Sequence, residues 1–441
     1  MIRLIYNLLF PFGLFFFLPA YLLKMQRRGN YRRNFGQRFG FYSPEVRARL
    51  ARGSVTWIHA VSVGEVAIAL KFARKLRALD PTFRSVLTTT TTTGFAVAER
   101  EADEWMEVMY NPLDFWPIVQ RAFAMIRPMR IVLVEAEVWP NLAAEARARE
   151  IPLALINARL SDRSERRFHR FKAIIAPTFG CLDLVCVQEI GDVDRWAGLG
   201  IPRARIKQVG SIKYDPLEAK SDPTVPREVL RALAIDDQRP ILLGGSTHAG
   251  EEKILAEVFQ QLRPEFPALL LIIAPRHSER AQEVRKELEG PGLSVALRSN
   301  AGSGDVVATP DCVLLDTTGE LRNWYSVATV VFVGKSLTAH GGQNPVESII
   351  AGKPVIFGPH MENFLALARA LLAHEAAIEI CDANELSARV AELLRNPFVG
   401  QRLVENAEQV LAVHRGATER TAELVRSLGH PPDTHDRTAA K

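Results

Sequence analysis

Several familiar signatures are missing from this 441-residue chain. Its four cysteines, Cys181, Cys186, Cys312 and Cys381, form no C-x-x-C pair, and no cysteine–histidine grouping has structural-zinc spacing. That pattern suits a reducing compartment in which the thiols are free and buried. Charge of one sign is scarce too. A net +5 over this length, at pI about 9.0, is too small an excess to argue for nucleic acid. There is no Walker A loop, no G-x-G-x-x-G fingerprint and no internal repeat. No dense carboxylate cluster asks for a divalent metal. Only one apolar stretch is long enough to cross a bilayer, which excludes a transporter.

That stretch opens the chain. Leu4 to Leu23 is 20 residues without a charge, about the length of a spanning helix. Lys24, Arg27, Arg28, Arg32, Arg33 and Arg38 follow, and no acid appears before Glu45. The basic flank places the rest of the chain on the cytoplasmic side and suits anionic headgroups. A cleaved signal peptide has the opposite order, with basic residues first and a small-residue cleavage site after the apolar core. Pro11, Gly13 and Pro19 would kink a helix. A spanning anchor, an in-plane or re-entrant anchor and an ordinary buried helix all remain open. The expected location is the inner membrane.

With 47% hydrophobic and 24% charged residues, the remainder reads as folded protein, and its length suggests two domains. Short apolar runs alternate with amphipathic stretches. Residues 55–60, 84–89, 131–134, 153–156 and 184–187 are expected strands, with a helix over 66–79 after the first. A polar, proline-bearing stretch at 216–226 reads as a linker. The alternation resumes with strands over 240–243, 269–273, 313–315, 329–333 and 354–357. Helices fit 250–262, 278–288 and 344–351, and a long helix or helix pair fits 400–428. This predicts an α/β fold: two doubly wound, Rossmann-like domains with parallel sheets covered on both faces. The expected division is an anchor at 1–24, domains at 25–215 and 227–428, and a disordered tail at 429–441. Sites are expected on strand-to-helix loops facing a cleft between the domains.

Six such loops carry the chemistry. In Val61-Ser62-Val63-Gly64-Glu65, Glu65 lies at a helix N-terminus as either a capping glutamate or a functional carboxylate. Glu135 and Glu137 close an apolar strand and point to the same face, which is costly unless they are solvated, paired or used. Lys213, in Gly210-Ser211-Ile212-Lys213-Tyr214-Asp215, is a solvated linker lysine or a phosphate contact. In the second half, Ser246, Thr247 and His248 lie in a small-residue loop that exposes backbone N–H groups. Pro275-Arg276-His277 offers a guanidinium for phosphate or base. Gly341-Gly342-Gln343-Asn344-Pro345-Val346-Glu347 opens a helix, with Asn344 as N-cap and Pro345 in the first turn. Each is weak alone, but together on successive strand ends they point to a nucleotide.

In this order, S-V-G-E, E-x-E-x-W-P-N, N-A-R-L-S (157–161), G-S-x-K-x-D, S-T-H-x-G-E-E, P-R-H-x-E-R, T-G-E-L (318–321) and G-G-x-N-P-x-E resemble the 3-deoxy-D-manno-octulosonic acid (Kdo) transferases over nearly the whole chain. The resemblance implies a GT-B fold and inverting transfer of Kdo from CMP-Kdo to a lipid A precursor, lipid IV(A), in lipopolysaccharide synthesis. It implies no cofactor or metal. It casts Glu65 as the general base, and Glu135 and Lys213 as transition-state stabilisers. Pro275, Arg276, Thr318, Gly319, Glu320, Asn344, Pro345, Val346 and Glu347 are cast as CMP contacts. Gln37, where the family usually carries glutamate, Lys335, where it usually carries glycine, and Ala339-His340 depart from the pattern. Competing readings are a UDP-sugar transferase or epimerase, and a tethered scaffold without catalysis. The number of Kdo units, the acceptor hydroxyl and the oligomeric state are not legible.

Overall fold

The computed structural model describes residues 2–27, 33–160, 162–215, 221–301 and 309–428, without the side chains of residues 2, 17–27, 162 and 163. The expected tail at 429–441, linker residues 216–220 and Ser161 lie outside the described residues. The chain forms two compact units, one of residues 1–215 with the segment from His414 onward, the other of residues 216–413.

The first unit is built on β1 (Val55–Ala60), β2 (Ser85–Thr89), β3 (Met106–Tyr110), β4 (Pro128–Val134), β5 (Leu153–Ala158), β6 (Leu184–Val187) and β7 (Ile206–Gln208). They form one parallel sheet in the order β3-β2-β1-β4-β5-β6-β7. Central strands are apolar throughout because both faces are covered. Trp57, Ile131, Leu133 and Leu155 enter one core, and their neighbours Ile58, Val132, Val134 and Ile156 enter the other. Each such side chain contributes roughly 1.5–3 kcal/mol on burial.

The second unit repeats the plan with β8 (Ile241–Thr247), β9 (Leu270–Pro275), β10 (Val295–Leu297), β11 (Cys312–Leu314), β12 (Val330–Val333), β13 (Val355–Phe357) and β14 (Ile378–Glu379). Their order is β10-β11-β9-β8-β12-β13-β14, again all parallel. In both sheets the chain starts in the middle, fills one side and then the other. The winding therefore reverses between β1 and β4, and again between β8 and β12. At such points the connecting loops diverge and leave a crevice at the strand ends.

Two expectations change. The last part of the expected second domain, from His414 onward, belongs to the first unit. Its helix Ala417–Ser427 puts Ala422 and Val425 into the core beside the helix Val63–Leu79. Both ends of that helix are fastened. Asp215 accepts from the N–H groups of Gly416 and Thr418, each at 2.8 Å, and from the Thr418 hydroxyl. Arg130 donates to the Val425 carbonyl at 2.6 Å. Asp215 thus serves the helix N-terminus, and Arg130 its last carbonyls. The cysteines are free, but only Cys186 and Cys312 are buried; Cys181 is half-buried and Cys381 exposed.

The N-terminal apolar stretch forms a helix, Ile2–Arg27. Polar residues on its first turns dock onto the first unit. Asn7 and Asn141 exchange amide hydrogen bonds at 2.8 and 2.9 Å, Arg3 Nε donates to Asn141 Oδ1, and Phe10 stacks on Phe115. Leu4, Leu8, Phe12, Phe15 and Phe16 remain exposed. Among the described residues, no helix is long and apolar enough to cross a membrane.

Candidate active site

Ser62 caps the helix Val63–Leu79, its hydroxyl accepting from Glu65 N–H. Glu65 Oε2 accepts from Val61 N–H at 2.8 Å and Oε1 from the Ser62 hydroxyl at 2.9 Å. The carboxylate thus fastens the turn that leads into the helix, beside the Ser62 cap, which is a structural duty of the kind the capping alternative described. It does not exhaust the residue. An ionised carboxylate accepts about four hydrogen bonds, and these two leave lone pairs available. The side chain is held rigidly beside the β1 strand end, on one flank of the first winding reversal.

Glu135 follows β4 on the other flank. It has φ of +64°, in the left-handed region that non-glycine residues rarely occupy, and its N–H bonds to Ile156 O. That turn ends the extended run, so the strand-face argument for Glu135 and Glu137 no longer applies. Electrostatics couples them instead. Burial pushes the Glu135 carboxyl up, the Glu65 charge pushes further, and Arg159 and Lys213 oppose. Burial, then Glu65 and Glu135, push Glu137 up to about 7 against a hydrogen bond from Trp139. Burial lowers Lys213, which Glu135 opposes. The three residues cast in catalysis thus share one electrostatic neighbourhood with Glu137 and Arg159. Asn157, at φ +50°, sets the Lys213 loop: its Oδ1 accepts from Ile212 N–H at 3.0 Å and from the Ser211 hydroxyl. Sequence reasoning quoted Glu137 without assigning it a part, because its raised proton affinity comes from burial and then from Glu65, which is distant in the chain.

In the second unit, the expected nucleotide residues follow β11, β9, β8 and β12, four strands adjacent in the sheet. Ser246 stands at φ +54°, and Thr247 is buried with its hydroxyl on Glu252. His248, half-buried, has its Nε2 3.3 Å from the Gln343 amide nitrogen, joining the loops across the second reversal. Burial lowers its pKa. Pro275 ends β9, and the Arg276 N–H bonds to Thr247 O while its side chain is exposed. Thr318 and Gly319 are exposed, and Glu320 is held by the Arg298 guanidinium at 2.8 and 3.2 Å. The helix after β12 starts at Val346, so Pro345 occupies the cap position expected for Asn344. Asn344 Oδ1 accepts from Val346 N–H instead. Burial raises the Glu347 carboxyl, and Arg322 opposes.

Glu251 and Glu252, quoted in the sequence without a role, organise this face. Glu251 is fully buried and accepts four backbone N–H groups, from His248, Lys335, Ser336 and Leu337, at 2.7–3.1 Å. It locks the loop after β12 onto the loop after β8. Glu252, also fully buried, receives the Thr247 hydroxyl and the Arg280 guanidinium. A Cβ at Gly334 would collide with the Ser246 carbonyl, so these loops meet only over glycine. The departures now have physical addresses. Lys335 sits at φ +57°, where glycine is favoured. Gln37 is buried and accepts from Tyr110 N–H at 2.9 Å, a bond that a glutamate would equally accept.

Residues 33–216 match the family described as 3-deoxy-D-manno-octulosonic-acid transferase (kdotransferase). The chain is 33% identical to the 3-deoxy-D-manno-octulosonic acid transferase of Haemophilus influenzae, over 90% of this chain and 91% of that protein. It is 35% identical to the enzyme of that name from Bordetella pertussis, over 88% and 90%. Among solved structures, it shares its fold with the UDP-GlcNAc 2-epimerase of Neisseria meningitidis, at 13% identity and TM-score 0.55, covering 85% of this chain and 100% of that one. It also shares it with Acinetobacter baumannii MurG, at 15% identity and TM-score 0.52, covering 85% and 99%.

Proposed function

The chain belongs to the 3-deoxy-D-manno-octulosonic acid (Kdo) transferase family, and from that premise we propose that it is an inverting transferase that moves Kdo from CMP-Kdo to lipid IV(A). The observation that carries this reading is the pairing of Glu65 with Glu135 across the first winding reversal, with Lys213 in the same electrostatic field.

A sugar hydroxyl is a weak nucleophile, so the reaction needs a positioned base. Glu65, fixed by its bonds to Val61 and Ser62, takes the proton of the acceptor hydroxyl as that oxygen bonds to the anomeric carbon of Kdo. The bond from that carbon to the CMP phosphate breaks, and its electron pair leaves with CMP. Arg276, in the second unit, is a cation for the phosphate of CMP, and Lys213, in the first, is a cation for the transition state. Glu135, in its strained turn beside Lys213, orients the lysine and faces the positive charge developing on the sugar ring. The loops after β8, β9, β11 and β12 hold the cytidylate. This division gives acceptor activation to the first unit and nucleotide binding to the second.

A lipid acceptor is supported by two features of the first unit. An apolar cavity of about 290 Å3, lined by Phe10, Leu14, Phe39, Leu113 and Trp139 among others, suits an acyl chain. The exposed stripe of the N-terminal helix, with the basic flank behind it, suits a shallow seat in an anionic bilayer surface on the cytoplasmic side of the inner membrane. Confinement to that surface raises the effective acceptor concentration.

Mass spectrometry of lipid IV(A) incubated with the protein and CMP-Kdo tests the reading. A mass gain of one or more Kdo residues is expected, and none with UDP-sugars. Turnover of UDP-sugars alone would refute it.

A further inference from the structure

We propose that His340, His360 and Glu362 form a binding site for a divalent metal of the zinc class. His340 lies in the loop after β12; His360 and Glu362 lie in the loop after β13. The ligand atoms of all three lie within 4.8 Å of one another. His340 Nδ1 is 2.9 Å and His360 Nδ1 3.5 Å from the same oxygen, Glu362 Oε1.

Those spacings are informative. A zinc ion bound at about 2.0–2.1 Å by nitrogen and oxygen in tetrahedral geometry holds its ligand atoms about 3.3 Å apart. The two distances bracket that value, so small side-chain rotations admit the ion. The other carboxylate oxygen, Glu362 Oε2, accepts the Gly341 N–H at 2.6 Å. This fixes the carboxylate as outer-sphere bonds fix metal ligands. The backbone is prepared as well. His360 N–H bonds to Ser336 O and Asn363 N–H to Gly341 O, both at 2.9 Å, tying the two loops together before any ion arrives.

The plain alternative is a surface ion pair between a protonated His340 and Glu362. Such a pair is worth little and needs one imidazole. Here two imidazole rings, centroids 4.0 Å apart, address one carboxylate. One metal ion would engage both nitrogens and the carboxylate oxygen together, which a single ion pair does not. Two imidazoles and one carboxylate favour zinc, cobalt or nickel over magnesium or calcium, which prefer oxygen alone. Three protein ligands leave a coordination position for water or an anion. The ion would staple the loop carrying Gln343 and Asn344, a consequence independent of which sugar is transferred.

The test is zinc binding by the untagged full-length chain, read by equilibrium dialysis with metal analysis and by cobalt(II) substitution. One zinc per chain is expected, with the visible absorption of a tetrahedral cobalt complex. His340→Ala, His360→Ala and Glu362→Gln should each weaken binding at least tenfold and abolish that absorption. All three side chains are on surface loops, so circular dichroism should show each variant folded. If one fails to fold, the other two carry the test. The absence of binding at micromolar zinc, or equal binding by wild type and variants, would overturn the proposal.

Discussion

Replacing Glu65 in two ways separates its two duties. In Glu65→Gln, the amide oxygen can still accept from Val61 N–H, and the Ser62 hydroxyl can rotate to accept from the amide NH2. Those bonds survive while the base is lost. General-base catalysis contributes about 100- to 10,000-fold, so kcat should fall by that factor, or about 3–5 kcal/mol of barrier. The melting temperature should hardly move. Glu65→Ala also loses the bond to the Ser62 hydroxyl and leaves Val61 N–H without its acceptor, at a cost of about 1–3 kcal/mol of stability. The Glu65 charge holds Glu135 and Glu137 up, so both should ionise at lower pH in either variant. The assay is the initial rate of Kdo transfer beside a thermal melt. A Glu65→Gln enzyme of full rate, together with an unstable Glu65→Ala, would leave Glu65 as a fastening of that turn and nothing more.

Two further outcomes are expected. Glu137 has its folded pKa raised to about 7 from 4.5, so its contribution to stability is complete at low pH and lost as pH rises through about 7, with a ceiling of about 3 kcal/mol. Urea midpoints at pH 5.5 and 8 should therefore fall further for wild type than for Glu137→Gln; equal slopes would contradict this. Asp215→Ala removes three hydrogen bonds from the start of the C-terminal helix, two from backbone N–H groups, and should cost about 3–5 kcal/mol. Proteolysis should then release the segment after His414 sooner than in wild type, and unchanged resistance would refute the fastening.

The interior of the fold was legible in the sequence because buried parallel strands are apolar throughout. Val55–Ala60 and Leu184–Val187 fall where their composition puts them. The strands without an expectation, β3, β7, β10 and β14, are the two edges of each sheet. An edge strand is short or half-solvated, and Ile206-Lys207-Gln208 and Ile378-Glu379 carry no apolar run to find. The return of the last helix to the first unit was invisible for a different reason: Asp215 and Thr418 are 203 residues apart, and a local period says nothing of such a partner. The site followed the same rule. Motifs marked Glu65, Glu135 and Lys213 one at a time, but only the β1–β4 pairing sets the first two on either side of one reversal. The helix-capping alternative for Glu65 has its counterpart in the carboxylate that holds Val61 N–H and the Ser62 hydroxyl. Glu251 looked like an ordinary first-turn acid until its four backbone partners, three of them more than 80 residues away, were in view.

The division of labour between the two units is tested most directly by titrating CMP calorimetrically into Arg276→Ala and Glu135→Gln and measuring Kdo transfer by the same samples. The account predicts that Arg276→Ala binds CMP at least tenfold more weakly. Glu135→Gln should bind it like wild type yet transfer at least a hundredfold more slowly. Loss of CMP binding in Glu135→Gln, with normal binding in Arg276→Ala, would contradict it.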